Sequence, residues 1–242
     1  MAKKSGRPAP GKRSSGGRAR PAVKKAAPAK RPQPKKKVAP AEVVDETPRT
    51  FRLGAIPGAT PGKWIDAWKN RLPHVTLELV PIEVAEERDA LVDLDAALVR
   101  LPIDRPDDLH VIRLYDELPV VVASAESHLM AAETLTAADL DGEVLVTPLD
   151  DVLGPLDLPT VAPRFAPVPT TADAVATVAT GTGIVLVPMS LARLHHRKDV
   201  EYRVLEGGPT STVALAWPRE RTTSDVEAFV GIVRGRTANS SR

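Results

Sequence analysis

The residues of this chain that could do chemistry are mostly ones suited to holding an anion. Thr60 precedes Pro61, and Thr170-Thr171 precede an Ala/Val-rich run. A threonine hydroxyl accepts from the free N–H groups of a helix's first turn, and proline suits the first helical position. Such a terminus also presents the positive end of the helix dipole, where an anion binds. Arg100, flanked by Val99 and Leu101, needs a carboxylate partner, either a ligand's or a neighbouring Asp or Glu. His195-His196 with Asp199 would be a poor metal set, because adjacent imidazoles on one helix diverge; they read as a surface pair. His74 and His128 are isolated. No Ser/His/Asp grouping, phosphate-cradling loop or paired-carboxylate arrangement is visible, and Gly181-Thr182-Gly183 lacks the following Lys of a nucleotide loop. The reading is a chain with no catalytic residues, no metal and no cofactor, and no enzyme.

A second kind of chemistry is purely electrostatic. Residues 1–40 hold fourteen cations and no Asp or Glu: Lys3, Lys4, Arg7, Lys12, Arg13, Arg18, Arg20, Lys24, Lys25, Lys30, Arg31, Lys35, Lys36 and Lys37. The remaining 19 Lys and Arg stand against all 31 acidic residues, so a segment of +14 joins a body of −12 inside a net charge of +2. Such a segment seeks polyanions, most often nucleic acid, by neutralising phosphates and releasing counterions with little sequence preference. It has no aromatic residues for stacking on single-stranded bases. Ser5-Gly6-Arg7-Pro8 and Gly17-Arg18-Ala19-Arg20-Pro21 are similar to the minor-groove core of AT-hook motifs, although neither holds the full Arg-Gly-Arg-Pro. The overall composition resembles the Lys/Ala/Pro tails of histone-like bacterial proteins. Burial cannot offset ordering costs of roughly 1–2 kcal/mol per residue in so polar a stretch, so residues 1–48 are expected to be a disordered tail. The other reading is a solubilising tail that binds nothing in particular.

The elements that must position these residues begin near Arg49. FRLGAIPG (51–58) reads as a strand, and Trp64, Ile65, Trp68 and Leu72 share one face of a helix. VTLELVPIE (75–83) is a strand, AEERDALVD a short charged helix, and LDAALVRLP (94–102) a third strand. This βαβαβ order argues for a mainly parallel sheet covered by helices. After a turn at 104–109, Pro119–Ala123 and 144–148 read as strands, with a further short strand near 164–168. Residues 170–188, TTADAVATVATGTGIVLVP, give a capped helix, a glycine turn and a buried strand in succession. A short helix (189–195), strands at 202–206 and 212–218, and a last amphipathic helix (224–235) complete the chain. There is no cysteine, no apolar h-region after the positive N-terminus, and no apolar run long enough for a bilayer. The expected location is the cytoplasm, with nucleoid association as an extension of the basic segment, and no membrane contact.

Taken in order, FRLGAIPG…TPGKWIDAW, LDAALVRLP, DELPVVVASAESHLMA, TADAVATVATGTGIVLVP and STVALAWPRE resemble the substrate (effector)-binding domain of LysR-type transcriptional regulators. The resemblance covers residues 49–240. It implies an α/β type 2 periplasmic-binding-protein fold of two lobes: lobe I, 49–118 and 207–240, and lobe II, 119–206. Two crossovers, near Glu117–Val120 and 204–207, would join them around an effector cleft. It also implies cleft positions for Ala59-Thr60 and Thr170-Thr171 at helix N-termini, Arg100 and Leu101 at a strand end, and Thr147 and Pro148 at another. Ordinary capping is the alternative role for both threonine sites. Where the family often has Ser or Thr after the second strand, Val84-Ala85 stand here, and Asp150, Asp151 and Asp173 add negative charge. The cleft would then take a neutral or cationic ligand, or none. Members of the family normally begin with a winged helix-turn-helix and a linker helix; prolines and glycines throughout residues 1–48 prevent either there.

The implied partners are an unidentified small-molecule effector, DNA through residues 1–40, and a second copy or a related domain in a homodimer or hetero-oligomer. Together they describe a DNA-associated regulator. A small-molecule or protein-binding module without DNA function, pairing with other LysR-type proteins, is the alternative.

Overall fold

The structure, a computed structural model, describes residues 47–235. The expected tail, and with it all fourteen candidate nucleic-acid-binding cations, lies outside the described residues up to residue 46.

Two sheets organise the described chain. The first has the order β2-β1-β3-β9-β4. β1 (Arg49–Ala55) pairs in parallel with β2 (Val75–Pro81) and β3 (Ala96–Leu101). β9 (Ser211–Pro218) then runs antiparallel between β3 and β4 (Leu109–Glu117). The second sheet has the order β6-β8-β5-β7. There β5 (Pro119–Ser124) is antiparallel to β7 (Ile184–Pro188) and β8 (Val200–Leu205), and β6 (Thr134–Leu135) is parallel to β8. The chain leaves the first sheet through Leu118 and returns through residues 206–210. Each sheet with its flanking elements forms one lobe of a two-lobed α/β fold. The expected mainly parallel pairing holds for β1, β2 and β3, and β6 with β8 is the other parallel pair among the named strands. β9 with β3 and β4, and β5 with β7 and β8, are antiparallel.

Both faces of the first sheet are covered, which is why its central strands read as nearly unbroken apolar runs. Strand periodicity sends Ala96 and Leu98 of β3 and Leu215 and Trp217 of β9 to one face, and Ala97, Val99, Ala214 and Ala216 to the other. α1 (Gly62–Arg71) and α5 (Ser224–Val233) cover the first of these faces. Phe51, Trp68 and Phe229 meet there: ring centroids are 4.6 Å apart for Phe51–Trp68 and 5.3 Å for Phe51–Phe229. Trp68 Nε1–H donates to the Val75 carbonyl at 2.9 Å, so its one polar atom is satisfied. The second sheet is covered on one face by α3 (Thr171–Val178) and α4 (Met189–Leu194). Its other face packs on Leu129, Met130, Leu140, Leu145, Leu153, Leu156 and Leu158.

Several local readings change. Thr60 does not cap α1; the Pro61 carbonyl opens that helix, accepting from Trp64 N–H at 2.9 Å and Ile65 N–H at 3.0 Å. β4, hidden in the sequence by Arg113, Asp116 and Glu117, forms because it is an edge strand with one outward face. The 84–92 stretch is one 3-10 turn (Val84–Glu86) followed by the four-residue α2 (Glu87–Ala90), not a regular helix. Residues 144–148 make single bridges, because their backbone divides its hydrogen bonds between Val161 and Ile184.

The glycine turn after α3 does what the sequence requires, through one of its two glycines above all. Gly181 and Gly183 both have positive φ, 84° and 73°. A Cβ at Gly183 would lie 2.1 Å from the Val144 carbonyl oxygen, whereas one at Gly181 would meet nothing within 4 Å. Gly181→Ala should therefore cost only the left-handed strain, about 1–2 kcal/mol. Gly183→Ala should cost about 2–4 kcal/mol, because the Ile184–Val144 hydrogen bond must also move. Urea unfolding of the two variants would show the difference.

Candidate functional site

A cleft runs between the lobes, and Arg100 lies at its inner wall. Arg100 is the next-to-last residue of β3, with its side chain only 4% exposed. Its Nη1 donates to Glu117 Oε2 at 2.8 Å and to Ser211 Oγ at 2.8 Å. Its Nη2 reaches Ser190 Oγ at 3.2 Å and the Pro57 carbonyl at 3.5 Å. Ser190, at the start of α4 in lobe II, also donates to Glu117 Oε2 at 2.8 Å. Of the two partners open to Arg100 on sequence grounds, the structure supplies the neighbouring acid, Glu117.

Beneath Arg100 lies Glu87, a second buried charge. The backbone N–H of Arg100 donates to Glu87 Oε2 at 2.9 Å, and Glu87 is 5% exposed. Its Oε1 has no hydrogen-bond partner, and neither has Arg100 Nε. Burial pushes the Glu87 carboxyl up to about 7, against the opposing pull of the Arg100 N–H and the Arg100 charge.

Two adjoining cavities open from this wall. One, of about 390 Å³, is bounded by Glu87, Arg100, Leu101 and the 151–154 loop; the other, of about 520 Å³, by Glu83, Asp150, Thr170, Thr171 and His195. Val84, Ala85, Asp151 and Val152 border both. Burial raises the Asp151 carboxyl above its ordinary value, the N–H groups of Leu153, Gly154 and Val152 oppose this, and the Asp150 charge adds to the rise. Thr147 and Pro148 border a third cavity of about 420 Å³ within lobe II, which Asp151 also reaches. Ala59 and Thr60 border a separate groove of about 600 Å³ with Leu118, Met189 and Ser190. The eight sequence-predicted positions are thus divided among four hollows, and Asp151 touches three of them.

The N-terminus of α3 is already occupied by the protein's own groups. Thr170 Oγ1 accepts from Asp173 N–H at 3.1 Å and donates to Asp173 Oδ2 at 2.8 Å. Thr171 is buried and donates to Asp150 Oδ1 at 2.8 Å. Asp199 pairs with Arg197 at 2.8 Å, not with the histidine pair. Among the described residues, no group of three or more His, Asp or Glu is placed to hold a metal, and no helix is long and apolar enough to cross a membrane.

This geometry, two α/β lobes joined by two passages around a cleft, has a match in sequence. A family model for the LysR substrate binding domain covers residues 45–238. The chain belongs to that family. The Hca operon transcriptional activator HcaR of Escherichia coli (strain K12) is 26% identical over 207 residues, 79% of this chain and 69% of HcaR. Solved structures share the fold. The BenM effector binding domain with its effector benzoate superposes with a TM-score of 0.63 at 20% identity, over 78% of this chain and 92% of that one. The reduced OxyR regulatory domain from Pseudomonas aeruginosa gives 0.59 at 22% identity, over 78% and 98%.

The polar groups at and behind this wall that are hardest to find in the sequence of this LysR-family domain are Glu83, Glu87, Glu117, Ser190 and Ser211. Only Arg100, a cation in an apolar strand, signals that such partners exist. Glu87 also sets a test. Its folded-state carboxyl is raised from 4.5 to about 7, so between those values the folded state holds the proton more firmly than the unfolded chain. Its contribution to stability is full below pH about 4.5 and is lost as pH rises through about 7, a change of about 3 kcal/mol. Glu87→Gln should remove that dependence, leaving the variant more stable than the parent at pH 8 and equal to it near pH 4.5. Denaturant midpoints across this range would check it.

Proposed function

We propose that this protein is a DNA-associated, effector-responsive regulator. In this reading the LysR-type domain takes a small molecule between its lobes, and the cations of residues 1–40 give non-specific affinity for nucleic acid. The observation that carries the second part is the charge split, +14 on residues 1–40 against −12 on the rest. An acidic domain is repelled by phosphate, so binding to DNA falls to the basic segment. The first part rests on family membership and on the adjoining cavities at the interlobe wall.

Effector contact is assigned to Arg100, Leu101, Thr170 and Thr171 in those cavities, with Thr147, Pro148, Ala59 and Thr60 bordering the neighbouring hollows. A ligand that bridges the lobes shifts their relative population toward the closed arrangement, and only differential affinity for that arrangement can do so. The protein works in the cytoplasm, close to the nucleoid, as a homodimer or paired with a related domain. It is not an enzyme in this reading.

Fluorescence anisotropy on random-sequence duplex DNA, comparing the full chain with residues 49–242 over a salt series, tests the division of labour. The full chain should bind with a log–log slope of about −5 or steeper, at about −0.9 per neutralised phosphate. Residues 49–242 should not bind. Equal binding by both would overturn the assignment of DNA contact to the basic segment.

A further inference from the structure

We propose that the cleft ligand is a small organic amine that also carries an oxygen acceptor, an amino alcohol or amino amide, held between Glu87 of lobe I and Asp151 of lobe II. This rests on the effector-binding reading and adds the chemical class.

The first observation is Glu87 itself. A carboxyl group removed from solvent wants donors at both oxygens, and here only Oε2 has one, the Arg100 N–H at 2.9 Å. Glu87 borders the 390 Å³ cavity, so a ligand N–H seated there would supply the donor that Oε1 lacks. The second observation is the charge balance around the joined cavities. Asp151 borders the same cavity as Glu87, and Glu83 and Asp150 border the cavity beside it, which Asp151 also reaches. The two arginines bordering the Glu87 cavity each already pair with an acid, Arg100 with Glu117 at 2.8 Å and Arg88 with Asp108 at 2.5 Å. An incoming carboxylate would meet guanidinium charges that are already balanced.

The site where an anion would otherwise settle, the N-terminus of α3, carries carboxylates on both sides. Asp173 accepts from the capping Thr170 hydroxyl, and Asp150 accepts from Thr171. A ligand carboxylate there would face two like charges at short range, whereas an ammonium would be attracted by both. The remaining unpartnered groups on the wall are donors, Arg100 Nε and Arg88 Nε, both buried. An acceptor oxygen near the ligand's amine serves one of them. An amino alcohol or amino amide therefore complements the orphan acceptor and an orphan donor, where a plain diamine serves only the acceptor and a carboxylate without an amine serves only the donors.

Thermal unfolding of the full chain with 10 mM ethanolamine, lysinamide, putrescine, benzoate or succinate in turn tests the assignment. Ligand that binds only the folded state raises the midpoint with concentration. The expected result is a rise of about 2 °C or more with lysinamide or ethanolamine, less with putrescine, and none with benzoate or succinate. Titration calorimetry should then show Asp151→Asn and Glu87→Gln each weakening the best amine about tenfold. Glu83→Gln, an exposed position that leaves the core untouched, should weaken it about threefold. Stabilisation by benzoate or succinate and not by the amines overturns the amine class while leaving effector binding in place. Stabilisation by none of the five overturns the amine assignment and counts against ligand binding in this cleft. Amine binding that survives all three substitutions unchanged overturns the site.

Discussion

The ion pair between Arg100 and Glu117 is the constraint on which the arrangement of the lobes depends. Both side chains are more than nine-tenths buried, and a buried charge without its partner costs about 3–5 kcal/mol. The pair joins the end of β3 to the last residue of β4, beside the point where the chain leaves the first sheet. Ser190 adds a contact from the second lobe, donating to Glu117 and accepting from Arg100. Met189 N–H meets the Leu118 carbonyl at 3.0 Å in the same place. A cluster of polar groups thus sits at the passage between lobes, where apolar packing alone would allow sliding. Hydrogen bonds to charged groups are directional and stronger than neutral ones, so this junction has one preferred geometry.

That junction also determines what the cleft can offer a ligand. Because Arg100 spends its Nη groups on Glu117, Ser211 and Ser190, the wall presents Glu87 and Asp151 beside an arginine whose charge is already paired. The lobe II side repeats the pattern, since both threonines at the start of α3 are engaged by aspartates. In this member of a fold that BenM shares in complex with its effector benzoate, Glu87, Asp150 and Asp151 border the interlobe cavities. Fold similarity at about 20% identity says how the lobes are built; the side chains on the wall say what fits between them.

Much of the fold was readable from the sequence because it rests on local rules. The 170–188 stretch shows its helix, turn and strand through a capping threonine, apolar spacing and glycines, and the structure has all three. The core strands are continuous apolar runs because both sheet faces are covered. The strand β4 was not readable, since an edge position tolerates Arg113 and Asp116 and blurs the alternation. At the site, Arg100 announced that it needed an acid, but nothing local distinguishes Glu117 from a ligand. Glu87 was harder still. It stands in Glu83-Val84-Ala85-Glu86-Glu87-Arg88-Asp89, where several acids look alike. The one that turns inward is chosen by a backbone N–H thirteen residues further on. Long-range pairing of this kind leaves no periodic trace.

The strand order has a consequence for how the chain is made. Lobe II is contiguous, its four strands falling within residues 119–205, so every partner it needs emerges in one stretch. Lobe I is not. β9 lies between β3 and β4, and Phe229 completes the ring cluster begun by Phe51 and Trp68. Until residues 211–229 leave the ribosome, β4 has no strand to pair with and the first helix no aromatic lid. Lobe I can therefore close only once β9 and α5 are available, whereas every strand of lobe II finds its partners within residues 119–205.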